Sequence, residues 1–533
     1  MKPIRRIKTF SGIEYWYEAI PYYDPVTKQT RYKKSKYLGR NIDGKPVRMR
    51  SASTEVKAKV RNKKTTVTIR SSHDYGSVWI LKYIMQDLKI DQYLHGLLND
   101  TEVAMVTALA FNRVLRPLAM QHIDTWYTGT VLPLEDPKIS LTGQRISELL
   151  ERIGTSNIPQ QLMGKLLDEN QTKRTLIYDI TSISSYSSLM HLLEYGYNRD
   201  GLSLPQINLS LIMDKDLGIP VMYDIYPGSI SDVTTLTGTL KKLEAYGVEH
   251  YFAIMDRGFF SQTNLLAMLD KKISFIIAAT FKLKDLKMLL TEAQRDIEHV
   301  DYLQKFKEYT IYVKPVTFPL GQHVLQGYLY YDPKRERNEK EALTSRLFDI
   351  REEIAGIRLT KGQLAHIRFF EKAGKLKKFF DWKQVDNRIE ATIKQNAVAQ
   401  RTNQMGKFIL FHSGDVDWMT CLSLYRERDE IEKEIEMMKS DLDVLPLNTH
   451  TDSTMSGFLF IVFLGLIIRS RLLRMVTEAG LLKKYAIKGI LLELEKYRKI
   501  TLADGQIRTT EMTKKQRLIL EALNIMCLIS SGA

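Results

Sequence analysis

Over the first 70 residues apolar and polar positions alternate with the two-residue period of half-buried strands. "EYWYEAIPYYD" leads through the turn "PVTKQ" into "TRYKKSKYLG", a second turn follows at "NIDGKP", and "TTVTIR" resumes the alternation. Near residue 76 the period changes. "SVWILKYIMQDL" and "ISLTGQRISELLERIG" carry apolar residues at helical spacing, which predicts a helical domain over residues 76–170.

The strand pattern returns in "RTLIYDITSISSY" at 174–186. "LPQINLSLIMDKDLGIPVMYDIYPG" then reads as two apolar strands joined by a Lys-Asp-Leu-Gly turn. "SDVTTLTGTLKKLEAYG" predicts a helix with Ser231 as its N-cap. A short buried strand in "HYFAIMDRGFFS", a helix in "QTNLLAMLDKK" and a strand in "ISFIIAAT" extend this into an α/β core with a mixed sheet over 171–280. From 281 to 405 short strands give way to charged stretches such as "REEIAGIRLTKGQLAHIRFFEKAGKLKKFF", which predicts an insertion interrupting the core. "GKFILFHSG" resumes it, and 406–480 supplies its second half. The apolar run "FLFIVFLGLII" at 458–468 is 11 residues long, against about 20 for a membrane span, and so predicts a buried core helix. A helical tail is expected over 481–533.

Composition changes this picture mainly through charge. The formal net charge is +16, and residues 1–70 hold 19 Lys/Arg against 5 Asp/Glu, so nearly all of the excess lies in the basic β-rich region 1–75. Tyr15, Trp16, Tyr17, Tyr22, Tyr23, Tyr32 and Tyr37 lie among those cations. That mixture suits a phosphate backbone, and equally a lysine-rich surface hairpin. The two cysteines, Cys421 and Cys527, exclude a disulfide framework. "MKPIRRIKTFSGIEYWYEAI" lacks the apolar core and cleavage site of a secretory leader, so a cytoplasmic protein that does not engage a membrane is expected.

Two acids stand at the ends of apolar strands: Asp179 after "TLIY" and Asp256 after "YFAIM". Carboxylates there can face the crevice beside a sheet, where α/β proteins build sites; the plainer role of a strand-end aspartate is in a turn. A third acid from a facing helix would complete an oxygen-rich site for Mg²⁺ or Mn²⁺. The charged helix "YRERDEIEKEIEMMK" offers one. At about 100° per residue, Tyr425, Arg428, Glu432 and Lys439 share an arc of roughly 60°. Glu436 lies close to the same stripe, and Asp214, Asp216, Asp224 and Asp232 are further candidates in the core. The ten histidines are scattered, with no zinc-ligand spacing, no phosphate-binding glycine loop and no nucleophile elbow.

"LIYDITS", "AIMDRGFFS" and "YRERDEIEKEIEMMK" together resemble the DDE transposases of bacterial insertion sequences that carry the Y-x2-R-x3-E-x6-K signature. The resemblance implies an RNase H-like mixed-sheet core whose triad, Asp179, Asp256 and Glu432, binds two divalent ions, Mg²⁺ or Mn²⁺. It implies that water first frees a 3′-OH at the element's end, which then attacks a target phosphodiester. Tyr425, Arg428 and Lys439 would hold DNA phosphates. The expected partners are double-stranded DNA (terminal inverted repeats and target) and a second copy of the chain in a synaptic dimer. The tryptophans of the insertion region, Trp382 and the nearby Trp418, align with no motif and receive no role. Two other readings share the features: a transposase-derived DNA-binding protein that no longer cuts, and a plain metal-dependent nuclease.

Overall fold

The computed structural model describes residues 2–48, 68–168, 174–248, 250–360 and 362–525. The chain forms two compact units, residues 1–70 with 502–506, and residues 71–501 with 507–533.

The smaller unit is an antiparallel sheet of β1 (Ile4–Phe10), β2 (Ile13–Asp24), β3 (Gln29–Ile42) and β4 (Lys45–Val47), in sequential order. Its tight turns are chemically determined: Ser11-Gly12 and Asp43-Gly44 all have positive φ, the conformation that matches a two-residue hairpin to strand twist. Within residues 2–48 only Ala19 is a buried apolar side chain. Cations instead cover the rings, with Arg6 4.2 Å above Tyr32 and Lys33 4.4 Å from Tyr22. Of "TTVTIR", residues 65–67 lie outside the described residues, and β5 (Ile69–Asp74) begins at its end.

In the larger unit residues 76–168 are helical, including α1 (Gly76–Asp87), α2 (Asp100–Leu115) and α3 (Gly143–Thr155). There follow β6 (Arg174–Ser184), β7 (Gln206–Asp214) and β8 (Ile219–Pro227), an antiparallel meander. α4 (Asp232–Ala245) leads to β9 (Tyr251–Met255), and α5 (Gln262–Asp270) to β10 (Ser274–Ala278). β9 runs parallel to both β6 and β10. Ser231 occupies the N-cap position of α4, but its hydroxyl meets the Thr234 hydroxyl at 3.1 Å and does not cap the backbone.

The region expected as one insertion divides. β11 (Leu303–Phe306), β12 (Tyr309–Leu320) and β13 (His323–Tyr331) join the core sheet, whose nine strands, with β16 (Lys407–His412), run β11-β12-β13-β16-β10-β9-β6-β7-β8. The remainder is a lobe with its own apolar cluster: α6 (Pro333–Ala355), α7 (Ala365–Ala373) and the hairpin β14 (Phe380–Val385) and β15 (Arg388–Ile393). Trp382 belongs to that cluster, stacked on Phe369 at 4.9 Å. The chain re-enters the sheet as β16 (Lys407–His412), pairing antiparallel with β10 and β13.

α8 (Trp418–Ser440) lies across the sheet against β6, β7, β9, β10 and β16. α9 (Asp452–Glu478) contains the apolar run and is long and apolar enough to cross a bilayer, yet Leu459 to Ile468 are buried within the protein. Its closest approach is to α3: a Cβ on Gly154 would lie 1.9 Å from the Ser453 carbonyl oxygen, and one on Gly457 2.0 Å from that of Leu150. Two glycines thus let these backbones touch. The tail is not wholly helical. After α10 (Ile487–Glu495), β17 (Arg498–Leu502) and β18 (Ile507–Thr509) form a hairpin that joins β5, before α11 (Lys514–Ala522). The β-branched residues of "RKITL" and the Gly505 turn, with φ of 84°, account for the strand pair.

Candidate active site

The register of β6 and β9 sets the site. Their last paired residues are Tyr178 and Met255, so Asp179 and Asp256 follow side by side on neighbouring parallel strands. Asp179 is half-buried; its Oδ1 accepts the Ile180 N–H at 2.8 Å. Burial first, and then repulsion from Asp256, pushes its carboxyl up to about 6, against that hydrogen bond and the charges of Arg428 and Arg199.

α8 brings the third acid. Its N-terminus is fixed by the Asp417 carboxylate, which accepts the N–H groups of Met419 and Thr420. Its opposite face is fixed against α9, where the Ser470 hydroxyl donates to buried Glu434 and Arg469 pairs with Asp441 at 2.8 Å. The stripe seen in the sequence therefore lies toward β6 and β9. Arg428 Nη1 stands 2.7 Å from Glu432 Oε1 and 3.7 Å from Asp256 Oδ1. Its side chain is only 14% exposed. Burial opposes that charge, but Tyr425, Asp256, Glu432 and Asp179 outweigh it and hold the guanidinium above its ordinary value. The Tyr425 hydroxyl donates to Asp256 Oδ1 at 3.2 Å, and burial and the Asp256 charge push the phenol up.

Asp179, Asp256, Glu432, Arg428 and Tyr425 are thus gathered at one place. Lys439 is two turns further on and grips Asp200 at 2.6 and 2.9 Å. Glu436 is exposed. The other acids have structural partners: Asp214 forms a fully buried pair with Arg174 at 2.9 Å, Asp224 holds Lys242, and Asp232 holds Arg199. Asp216 gives its carbonyl to Arg474. Trp418 opens α8 beside Phe306.

Sequence reasoning missed Arg199 and Asp200. Both lie in the connection between β6 and β7, and Arg199 acts on Asp179 while Asp200 holds Lys439. The only signal was an adjacent "RD" pair between a strand and a hairpin, with no period to single it out.

Among the described residues, no three His, Cys, Asp or Glu side chains converge closely enough to make a ready metal cage. The donor set still suits a hard divalent ion. Asp179 and Asp256 offer carboxylate oxygens on adjacent strands, Asp179 is hard to ionise where it stands, and a single guanidinium links Asp256 to Glu432. A cation of higher charge would relieve the same repulsion.

Residues 170–468 match a family model described as a transposase DDE domain. No curated protein sequence matches the chain. Among solved structures, a piggyBac transposase synaptic complex with hairpin DNA has 9% identity and a TM-score of 0.37, covering 79% of this chain and 76% of that one. A Drosophila P element transposase strand transfer complex has 12% identity and a TM-score of 0.19, covering 77% and 97%. Neither superposition is close enough to assign anything to this chain.

Proposed function

The chain belongs to the family of transposase DDE domains, and from that premise we propose that it is an active, metal-dependent transposase of a bacterial insertion sequence. In this reading it cuts the element's terminal inverted repeats and joins the freed 3′ ends to target DNA, with Asp179, Asp256 and Glu432 as the catalytic triad. The core would be RNase H-like: an antiparallel meander followed by two parallel crossover strands, in the order β8-β7-β6-β9-β10, supports this.

One observation carries the functional reading. Acids from two adjacent strand ends and from a helix some 170 residues further along meet around one largely enclosed arginine, Arg428, which contacts both Asp256 and Glu432. Nothing in folding requires a half-buried Asp179 whose carboxyl is pushed up to about 6, and such unfavourable acids gather where chemistry needs them. Two bound Mg²⁺ or Mn²⁺ ions would activate the attacking oxygen and stabilise the leaving 3′ oxygen of an in-line displacement. The chain's own residues do the positioning. Arg428 and Lys439 offer cations to the phosphates flanking the scissile bond, and Tyr425 orients Asp256 through its hydroxyl. The basic sheet of residues 2–48 adds duplex contacts of its own. A synaptic dimer holds both ends together.

The test is Mg²⁺- or Mn²⁺-dependent cleavage of DNA carrying the element's ends, with precut ends to read strand transfer. Asp179→Ala, Asp256→Ala and Glu432→Ala are each expected to abolish cleavage and leave DNA binding largely intact. A variant that cuts at the wild-type rate removes its residue from the triad. Binding without cleavage by the wild type would favour the non-cutting DNA-binding protein, and cleavage without joining of precut ends a nuclease.

A further inference from the structure

The connection between β6 and β7 combines a fixed backbone with unused aromatic surface. Glu194 and Gln206 exchange backbone hydrogen bonds, both at 3.0 Å. Gly196 is pressed so close to Gly228 that a Cβ would lie 1.9 Å from its carbonyl oxygen. The Tyr197 carbonyl accepts from Ser182 Oγ at 3.2 Å and from Gln206 Nε2 at 3.0 Å, two side chains that are fully buried. The Asn198 side-chain amide donates to Ser184 Oγ at 2.8 Å, and its Oδ1 accepts the N–H groups of Asp200 and Leu202. A loop held at so many points has little backbone entropy left to lose on binding.

Its tyrosines are not held. Tyr195 is 73% and Tyr197 74% exposed. They flank Gly196, whose backbone is pressed against Gly228. Folding does not explain two large rings kept in water on an ordered backbone. Their setting gives them a partner. Arg199, 5.9 Å from the Tyr197 ring, also acts on Asp179, and Lys439 holds the neighbouring Asp200. Tyr197 therefore shares its loop with Arg199 and Asp200, which reach Asp179 and α8, and Tyr195 lies two residues before it.

Resting on the function proposed above, we infer that Tyr195 and Tyr197 are a stacking platform for unpaired nucleobases of the DNA strand next to the scissile phosphate. Aromatic faces accept any base, while the neighbouring cations suit the backbone that carries it. The lobe's tryptophan does not compete for this role, because one face of Trp382 is already covered by Phe369.

The experiment measures binding of the full chain, in EDTA, to three probes of equal length: oligothymidylate, an abasic strand of the same charge, and a mixed-sequence duplex. Wild type is expected to prefer oligothymidylate over the abasic strand. Tyr195→Ala and Tyr197→Ala should each weaken the oligothymidylate complex by about ten-fold, within the range for loss of one stacked base, and bind the abasic strand and the duplex as before. Phenylalanine at either position should restore binding and leucine should not. Both sites are exposed, so the fold is expected to tolerate each change. Equal wild-type affinity for the thymidylate and abasic strands would overturn the inference alone, as would alanine variants that bind like wild type. Variants that lose self-association and keep DNA binding would reassign the surface to a second copy of the chain. Failure of the wild type to bind any of the three DNAs would sink both this inference and the functional reading beneath it.

Discussion

Replacing Asp179 by Asn should stabilise the metal-free protein at neutral and alkaline pH. The carboxyl's folded value is about 6, against 3.8 when free. The native state therefore binds a proton there more tightly than the unfolded chain does. The stability that this proton confers is complete below about pH 4 and lost as pH rises through 6. Keeping Asp179 ionised at pH 8 then costs at most about 3 kcal/mol. Asn avoids that cost, and its side-chain oxygen can still accept the Ile180 N–H that Asp179 Oδ1 accepts at 2.8 Å. Thermal or urea unfolding of both proteins in EDTA, from pH 4 to pH 8, gives the answer. The two should be nearly equal at pH 4, and the variant should lead by about 1–3 kcal/mol at pH 8, roughly 1–3 °C in a unit of this size. Taking the difference between the proteins cancels the other titrating groups. Adding Mg²⁺ should narrow the gap at pH 8, because only the wild type has the full ligand set. A gap that is flat with pH, or a variant less stable at pH 8, would refute burial as the cause of Asp179's perturbation.

Arg428→Met should lower the stability of the metal-free protein and tighten Mn²⁺ binding several-fold by calorimetry, since the guanidinium no longer neutralises Asp256 and Glu432; weaker Mn²⁺ binding would mean that it does not compete for those acids. Lys439→Ala should reduce the slope of log affinity for DNA against log salt by about 1, and an unchanged slope would leave Lys439 as a tether for Asp200. Removing residues 1–48 should weaken DNA binding and flatten that salt dependence, and an unchanged slope would make the basic sheet a solvated surface. Gly457→Ala should destabilise by about 1–3 kcal/mol by driving a methyl against the Leu150 backbone, whereas Gly489→Ala, in open space within α10, should stabilise by about 0.5–1 kcal/mol; thermal unfolding separates them.

Much of the core was legible because its signals are local. Each short apolar strand around Asp179 and Asp256 is bounded by polar residues, and the α8 stripe is a matter of helical period. What escaped was non-local. β11 to β13 have ordinary strand patterns, but their place in the core sheet depends on β16, which arrives about 75 residues later and pairs with both β13 and β10. The β17–β18 hairpin likewise finds its partner strand, β5, more than 400 residues back. The contributions of Arg199 and Asp200 were invisible for a similar reason: a loop has no period, and each makes its ion pair with an element distant in sequence, Asp232 or Lys439.

The sequence stripe and the folded stripe also differ in kind. Along the helix, Tyr425, Arg428, Glu432 and Lys439 look like one surface offered to a partner. In the fold each already has a partner within the chain, and Tyr425, Arg428 and Lys439 meet acids: Tyr425 with Asp256, Arg428 with Asp256 and Glu432, and Lys439 with Asp200. Taking DNA and divalent ions together resolves the difference. Without them, Arg428 on α8, with Arg199 from the β6–β7 connection, is the counter-charge for an Asp179 that burial and repulsion from Asp256 make costly to ionise. Divalent ions would take over that counter-charge and leave Arg428 and Lys439 free for phosphates. The stripe then serves two successive states, balancing its own acids when the site is empty and a polyanion when it is loaded. A neutral residue at position 428 could do neither, so Arg428→Met should fail on both counts while Tyr425→Phe, which loses one hydrogen bond and no charge, should fail on neither.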